Sequence, residues 1–227
     1  MSQPLSLLRM LQCADSAFPS GAFAFSSGLE QLALDGQVRD AADVRQALED
    51  QIFPRWVSFD RVFLRQAHGA ADSPEALLAL DLQCHLQSGA DRLAQASRRV
   101  GRSLLSVHGR IGTPHVAAYR AALARAGRGD SGGYEPVVQG AIGAGLGLSP
   151  AETETGALHA VVMAFLSAAV RLGRAGAIET QALLAALLPA MARALDAPVA
   201  ARAGAFSPLA EIAAQRRAET HANLFAT

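Results

Sequence analysis

The side chains able to do chemistry are few and scattered. Six histidines stand at His68, His85, His108, His115, His159 and His221, and none forms His-x-x-x-His or His-Glu-x-x-His. Cys84-His85 is the one adjacent soft pair, but neighbours on a helix point about 100° apart and rarely hold one ion together. A metal site is not expected. Ser26 and Ser27 lie near two glycines, yet the elbow Gly-x-Ser-x-Gly fails because Ala24 stands where its first glycine belongs. The chain contains no lysine: all 20 basic residues are arginine. That removes a Walker lysine and Schiff-base chemistry from consideration. A small helical enzyme could still be built from polar residues beside apolar faces, with Glu30, Arg102 and Arg171 as its candidates.

Two glycine and arginine features have competing readings. Gly140, Gly143, Gly145 and Gly147 could form a phosphate loop or a helix with close neighbours. The dinucleotide fingerprint fails in register, since Leu148 and Pro150 fall where its last glycine is needed, so helix packing is favoured. The runs Arg98-Arg99…Arg102 and Arg216-Arg217 could bind an anion, but solvated helix faces are the plainer reading. The 20 acidic residues balance the 20 arginines, which argues against a general grip on nucleic acid or an anionic membrane. Cys13 and Cys84 make no disulfide framework, and the N-terminus lacks a basic and then apolar leader, so a reducing cytoplasmic setting is expected.

The elements that must position these residues are helical. Val44, Leu48, Ile52, Trp56, Phe59, Phe63 and Ala67 recur in steps of three and four, with Pro54 expected to kink or break the helix near residues 50–54. Residues 75–107 read as one long segment, with a stripe from Leu86 through Ala90, Leu93, Ser97, Val100 and Leu104 to Val107. Residues 127–133 read as an exposed, mobile loop. Ser149-Pro150-Ala151-Glu152 and Ser207-Pro208 are helix starts, serine as N-cap and proline at N1. Residues 157–172 are nearly all apolar, which suits a central buried helix and, as a weaker alternative, a membrane-associated adaptor. A further apolar helix covers 178–195, with a possible bend at Pro189. No sustained β-alternation occurs. The expectation is an all-α, single-domain bundle of about nine or ten helices over 1–227. Its end segments, 1–20 and 206–227, are candidates for partner binding or mobility.

The least generic stretch is Phe18 to Glu30. Pro19-Ser20-Gly21 is turn chemistry, followed by a helical segment from Ala22 to Leu34 with Ser20 or Ser26 as possible N-caps. Pro19, Gly21, Phe23, Ser26, Gly28, Leu29 and Glu30 together resemble the N-terminal signature of the urease accessory protein UreF family. Further segments are similar in the same order. They are Ser97 with Gly101-Arg102 and Leu104-Leu105, Pro136 with Gly140, Arg171 with Gly176 and Gln181, and Pro208-Leu209 through Arg216 to Leu224-Phe225. Arg174, Ala177, Arg217, Ala218 and Ala226 depart from the pattern. The resemblance implies a non-catalytic, homodimeric helical chaperone without a cofactor. It would bind UreD (UreH in some systems), the GTPase UreG and apo-urease, and assist nickel insertion. The residues it points to for partner binding are Pro19, Gly21, Phe23, Ser26, Glu30, Arg102, Arg171, Arg216, Leu224 and Phe225. A helical adaptor unrelated to urease is the alternative.

Overall fold

A computed structural model describes residues 2–22, 25–89, 91–205 and 207–216. Among them are ten helices and no strand: α1 (Gln3–Ala14), α2 (Leu29–Leu34), α3 (41–69), α4 (Pro74–Gln87), α5 (Asp91–Arg110), α6 (Val116–Arg125), α7 (Glu135–Gly145), α8 (Pro150–Arg171), α9 (Ala177–Asp196) and α10 (Pro208–Arg216).

Helix α3 is the spine. Its seven-residue stripe is buried throughout. Val44, Leu48, Ile52 and Trp56 enter one apolar core with α2, α8, α9 and α10, whereas Phe59, Phe63 and Ala67 enter a second with α4 to α7. Pro54 does not break it. Two π turns, Leu48–Ile52 and Trp56–Asp60, flank the proline. Steps of four residues drift about 40° per step on a regular helix, and the wider π turn offsets that drift. The register change thus accommodates Pro54 and keeps the stripe on one side.

Two other boundaries differ from expectation. Residues 75–107 form two helices, because Ser88 turns extended (ψ 107°) and its hydroxyl donates to the Cys84 carbonyl at 2.7 Å. Leu86 is accordingly exposed, off the buried stripe. Helix α2 begins at Leu29 rather than near Ala22, since Ser27 (φ 49°) and Gly28 (φ 85°) are left-handed and the helix can start only after them. Neither Ser20 nor Ser26 caps it: Ser20 accepts from the Ala22 N–H, and the buried Ser26 offers α2 its backbone carbonyl.

The glycine-rich helix α7 packs as expected. A Cβ at Gly140 would lie 2.3 Å from the Leu64 carbonyl oxygen of α3, and one at Gly143 would lie 2.2 Å from Thr153 of α8. Ser149 and Glu152 form a complete capping box at the start of α8. That helix is central, with Leu158, Val162, Phe165 and Leu166 in the core. α8 and α9 are both long and apolar enough to cross a membrane by length and composition; α8 buries half of its apolar window in the bundle, whereas α9 buries 17% of its own.

Candidate partner interface

The stretch from Phe18 to Glu30 is fastened into the bundle. The Ser103 hydroxyl of α5 donates to the Pro19 carbonyl at 2.8 Å, and the Phe18 ring stacks on His108 with centroids 5.1 Å apart. Phe25 is buried among Phe59, Phe63 and Val100, with the Arg99 guanidinium 5.8 Å above its ring. Gly28 meets α10: a Cβ there would stand 2.7 Å from the Ala210 carbonyl oxygen. Leu29 and Glu30 open α2 and are both buried, Glu30 in the first turn where the dipole favours its charge. The signature therefore joins α5, α2 and α10.

The ten candidate residues divide by exposure. Pro19, Gly21, Arg171 and Arg216 are exposed and Arg102 half-buried, while Ser26 and Glu30 are inside. Phe23, Leu224 and Phe225 lie outside the described residues. Arg216 pairs with Asp35 at the end of α2, 2.6 Å away, which holds α10 down. Arg102 donates to the Asp130 backbone carbonyl at 2.6 Å. Glu30, Arg102 and Arg171 sit on α2, α5 and the far end of α8. The three are thus dispersed over separate elements, and of them the cavities found among the described residues take in Arg102 alone.

The charged groups that do converge are others. Glu154 is buried and accepts from Arg61 Nε at 3.1 Å and Arg65 Nε at 2.5 Å. Arg61, also buried, caps the last turn of α9 through the carbonyls of Ala194, Leu195 and Ala197 at 2.5–2.9 Å. Asp81 is fully buried and accepts from the backbone N–H groups of Gly133 and Tyr134, at 2.9 and 2.8 Å, and from the Tyr119 hydroxyl. It anchors the end of the 127–133 loop, where Gly132 and Gly133 are buried rather than exposed. Cys84 and His85 diverge: the thiol is buried in the core and its pKa raised by burial, while His85 Nδ1 meets the Tyr134 hydroxyl at 2.7 Å. Among the described residues, no three His, Cys, Asp or Glu side chains form a metal-binding group.

A cavity of about 130 Å³ lies between α3, α5, α7 and α8, with Phe25 and Ala22 at one wall. Its polar members include Ser27, Arg55, Asp60, Ser97, Glu135 and Gln139. Arg55 pairs with Asp60 at 2.7 Å, and Gln139 donates to Glu135 at 3.0 Å. Burial raises both acids, with Glu135 pushed up to about 8 and the nearby Asp60 charge adding to the effect. A carboxyl raised on folding binds its proton more tightly in the folded state, so its contribution falls as pH climbs from the ordinary glutamate range towards 8. Urea titrations should show stability declining across that window. Glu135→Gln, which keeps an oxygen for Gln139, should flatten the decline, and an unchanged slope would show that Glu135 titrates normally.

Sequence patterns gave little warning of these groups. Glu154 reads as a first-turn dipole residue beside Glu152, and Asp81 as one polar residue between two leucines. Their partners lie 38 to 93 residues away along the chain.

Compared with known proteins, the chain matches the UreF family model over residues 38–188. It is 34% identical to a protein of Cereibacter sphaeroides (strain KD131 / KCTC 12085) named urease accessory protein UreF, across 98% of this chain and 99% of that protein. A protein of the same name from Rhodopseudomonas palustris (strain BisA53) is 31% identical over 89% of this chain and 82% of its own length. Another, from Trichodesmium erythraeum (strain IMS101), is 28% identical over 80% and 78%.

Proposed function

The chain belongs to the UreF family of urease accessory proteins, and from that premise we propose that it is a non-catalytic scaffold in urease maturation. In this reading it binds UreD (or UreH) and the GTPase UreG, acts as a homodimer in the cytoplasm, and assists nickel insertion into apo-urease. The observation that carries the reading is the 34% identity across nearly the whole of both chains. Nucleotide chemistry would fall to the GTPase, which suits a chain without a single lysine.

Surface chemistry supports a scaffold. Ile178 and Leu188 on α9 and Leu7, Leu8 and Leu11 on α1 are large apolar side chains left exposed, Ile178 at 88%. Exposed apolar area of this kind stabilises association when another surface covers it. Polar rim contacts would come from Arg102, Arg171 and Arg216, and the turn at Pro19 and Gly21 is accessible to a partner. Phe23 and the tail residues Leu224 and Phe225 complete the proposed contact set.

Co-expression with UreD and UreG tests the reading. The expected result is co-purification of a complex, together with loss of urease activation in the host when this chain is deleted. Absence of both would overturn it. Removing residues 217–227 is expected to weaken UreD binding at least tenfold while leaving the Tm within about 2 °C, since the removed segment follows α10. Unchanged affinity would remove the tail from the interface.

A further inference from the structure

We propose that the arginine recess on α5 is a docking site for an acidic segment of a partner protein, with a side-chain carboxylate as the recognised group. The recess has a volume of about 220 Å³ and is lined by Phe25, Arg98, Arg99, Arg102 and Asp130, among others. Three guanidiniums face one concavity, with a single carboxylate, that of Asp130, beside them. Arg98 is held by the Tyr134 hydroxyl at 2.5 Å and Arg102 by the Asp130 backbone carbonyl at 2.6 Å. Each guanidinium carries five N–H donors, so both keep donors for a ligand while their positions are fixed. Arg99 is exposed, lies over Phe25, and has no carboxylate partner among the described residues.

Asp130 sets the net charge of the recess. Its own carboxylate stands 3.7 Å from Arg102 and is fully exposed, at the edge of the recess. Three guanidiniums against this one carboxylate leave the recess a surplus of two positive charges, which two acidic side chains of one segment would neutralise. The recess also lacks an uncovered aromatic face for a base, because Arg99 already lies over Phe25. Charge complementarity thus suits an Asp- or Glu-bearing protein segment, the covered ring disfavours RNA, and competition decides between the segment and free phosphate. The inference does not rest on the urease assembly and is tested without it.

The full chain is titrated with a fluorescein-labelled hexapeptide alternating glutamate and glycine, at low salt, followed by anisotropy. The matched glutamine peptide is the control, and inorganic phosphate and a short single-stranded RNA are competitors. We expect the glutamate peptide to bind and the glutamine peptide not to. Arg99→Gln with Arg102→Gln should weaken binding by about fivefold or more, and Asp130→Asn should tighten it about twofold. If the double variant folds poorly, Arg99→Gln alone serves, because that side chain is exposed. Equal binding of the two peptides, no binding at millimolar concentration, or indifference to the arginine changes would each overturn the proposal. So would displacement by phosphate or RNA at concentrations below that of the peptide.

Discussion

Glu154→Ala is expected to lower the Tm by about 10 °C, the largest fall for any single ionic contact described here. The substitution leaves Arg61, only 2% exposed, with carbonyl dipoles around it and no counter-charge. Breaking one partner of a buried pair costs about 3–5 kcal/mol, and a domain of this size loses roughly 2–4 °C per kcal/mol. Position amplifies the effect, because Arg61 ties α3 to α8 and to the end of α9 at once. Glu154→Gln should fall between, since it keeps an acceptor but loses the charge. Arg65 is 39% exposed, so Arg65→Ala should cost within about 1 kcal/mol. The replacement Arg61→Met with Glu154→Leu should recover most of the loss, as apolar substitutes for buried pairs often do. Thermal unfolding followed by circular dichroism measures all four. A fall below about 2 °C for Glu154→Ala would mean that water reaches Arg61 and screens it.

The sequence displays the apolar framework well and the polar framework poorly. The stripe on α3 is visible because each buried position follows helical period from its neighbour, and all seven stripe residues are buried. Ser149 and Glu152 are visible because a cap is local, and the glycines of α7 because a small residue repeated along a helix has few other uses. Pro54 misleads, since the two π turns that absorb it have no signature in composition or period. Ser88-Gly89 misleads in the opposite way: the heptad spacing passes through it, but the chain turns. The Glu154–Arg61 and Asp81 contacts are invisible from one sequence because their partners are brought together only by the completed bundle. For the candidate interface, the signature at Pro19 to Glu30 is legible as a motif, yet its place is not. Spacing alone does not show that Ser26 and Glu30 would be inside, or that Gly28 would face a helix 180 residues later.

That placement yields the second large effect. Gly28→Ala is expected to release α10 from α2 and, on the proposed function, to reduce recovery of the UreD complex at least tenfold. Two costs act together. Alanine at φ 85° carries about 1–2 kcal/mol of left-handed strain, and its Cβ would stand 2.7 Å from the Ala210 carbonyl oxygen. That neighbour is backbone and cannot swing aside, so overpacking adds about 1–3 kcal/mol. The cost falls on a joint held by Ala210, Ala213 and Ala214 and by the exposed Arg216–Asp35 pair, whereas α3, α7 and α8 keep their own packing. Hydrogen exchange across residues 207–216 should therefore speed up by a hundredfold or more, while amides of α7 and α8 change little. Gly21→Ala is the control. Gly21 is also left-handed, at φ 75°, but a Cβ there would touch nothing within 4 Å. It should show the strain without the release of α10. If Gly21→Ala accelerates exchange in α10 as much as Gly28→Ala does, close approach to Ala210 is not what the glycine at 28 protects.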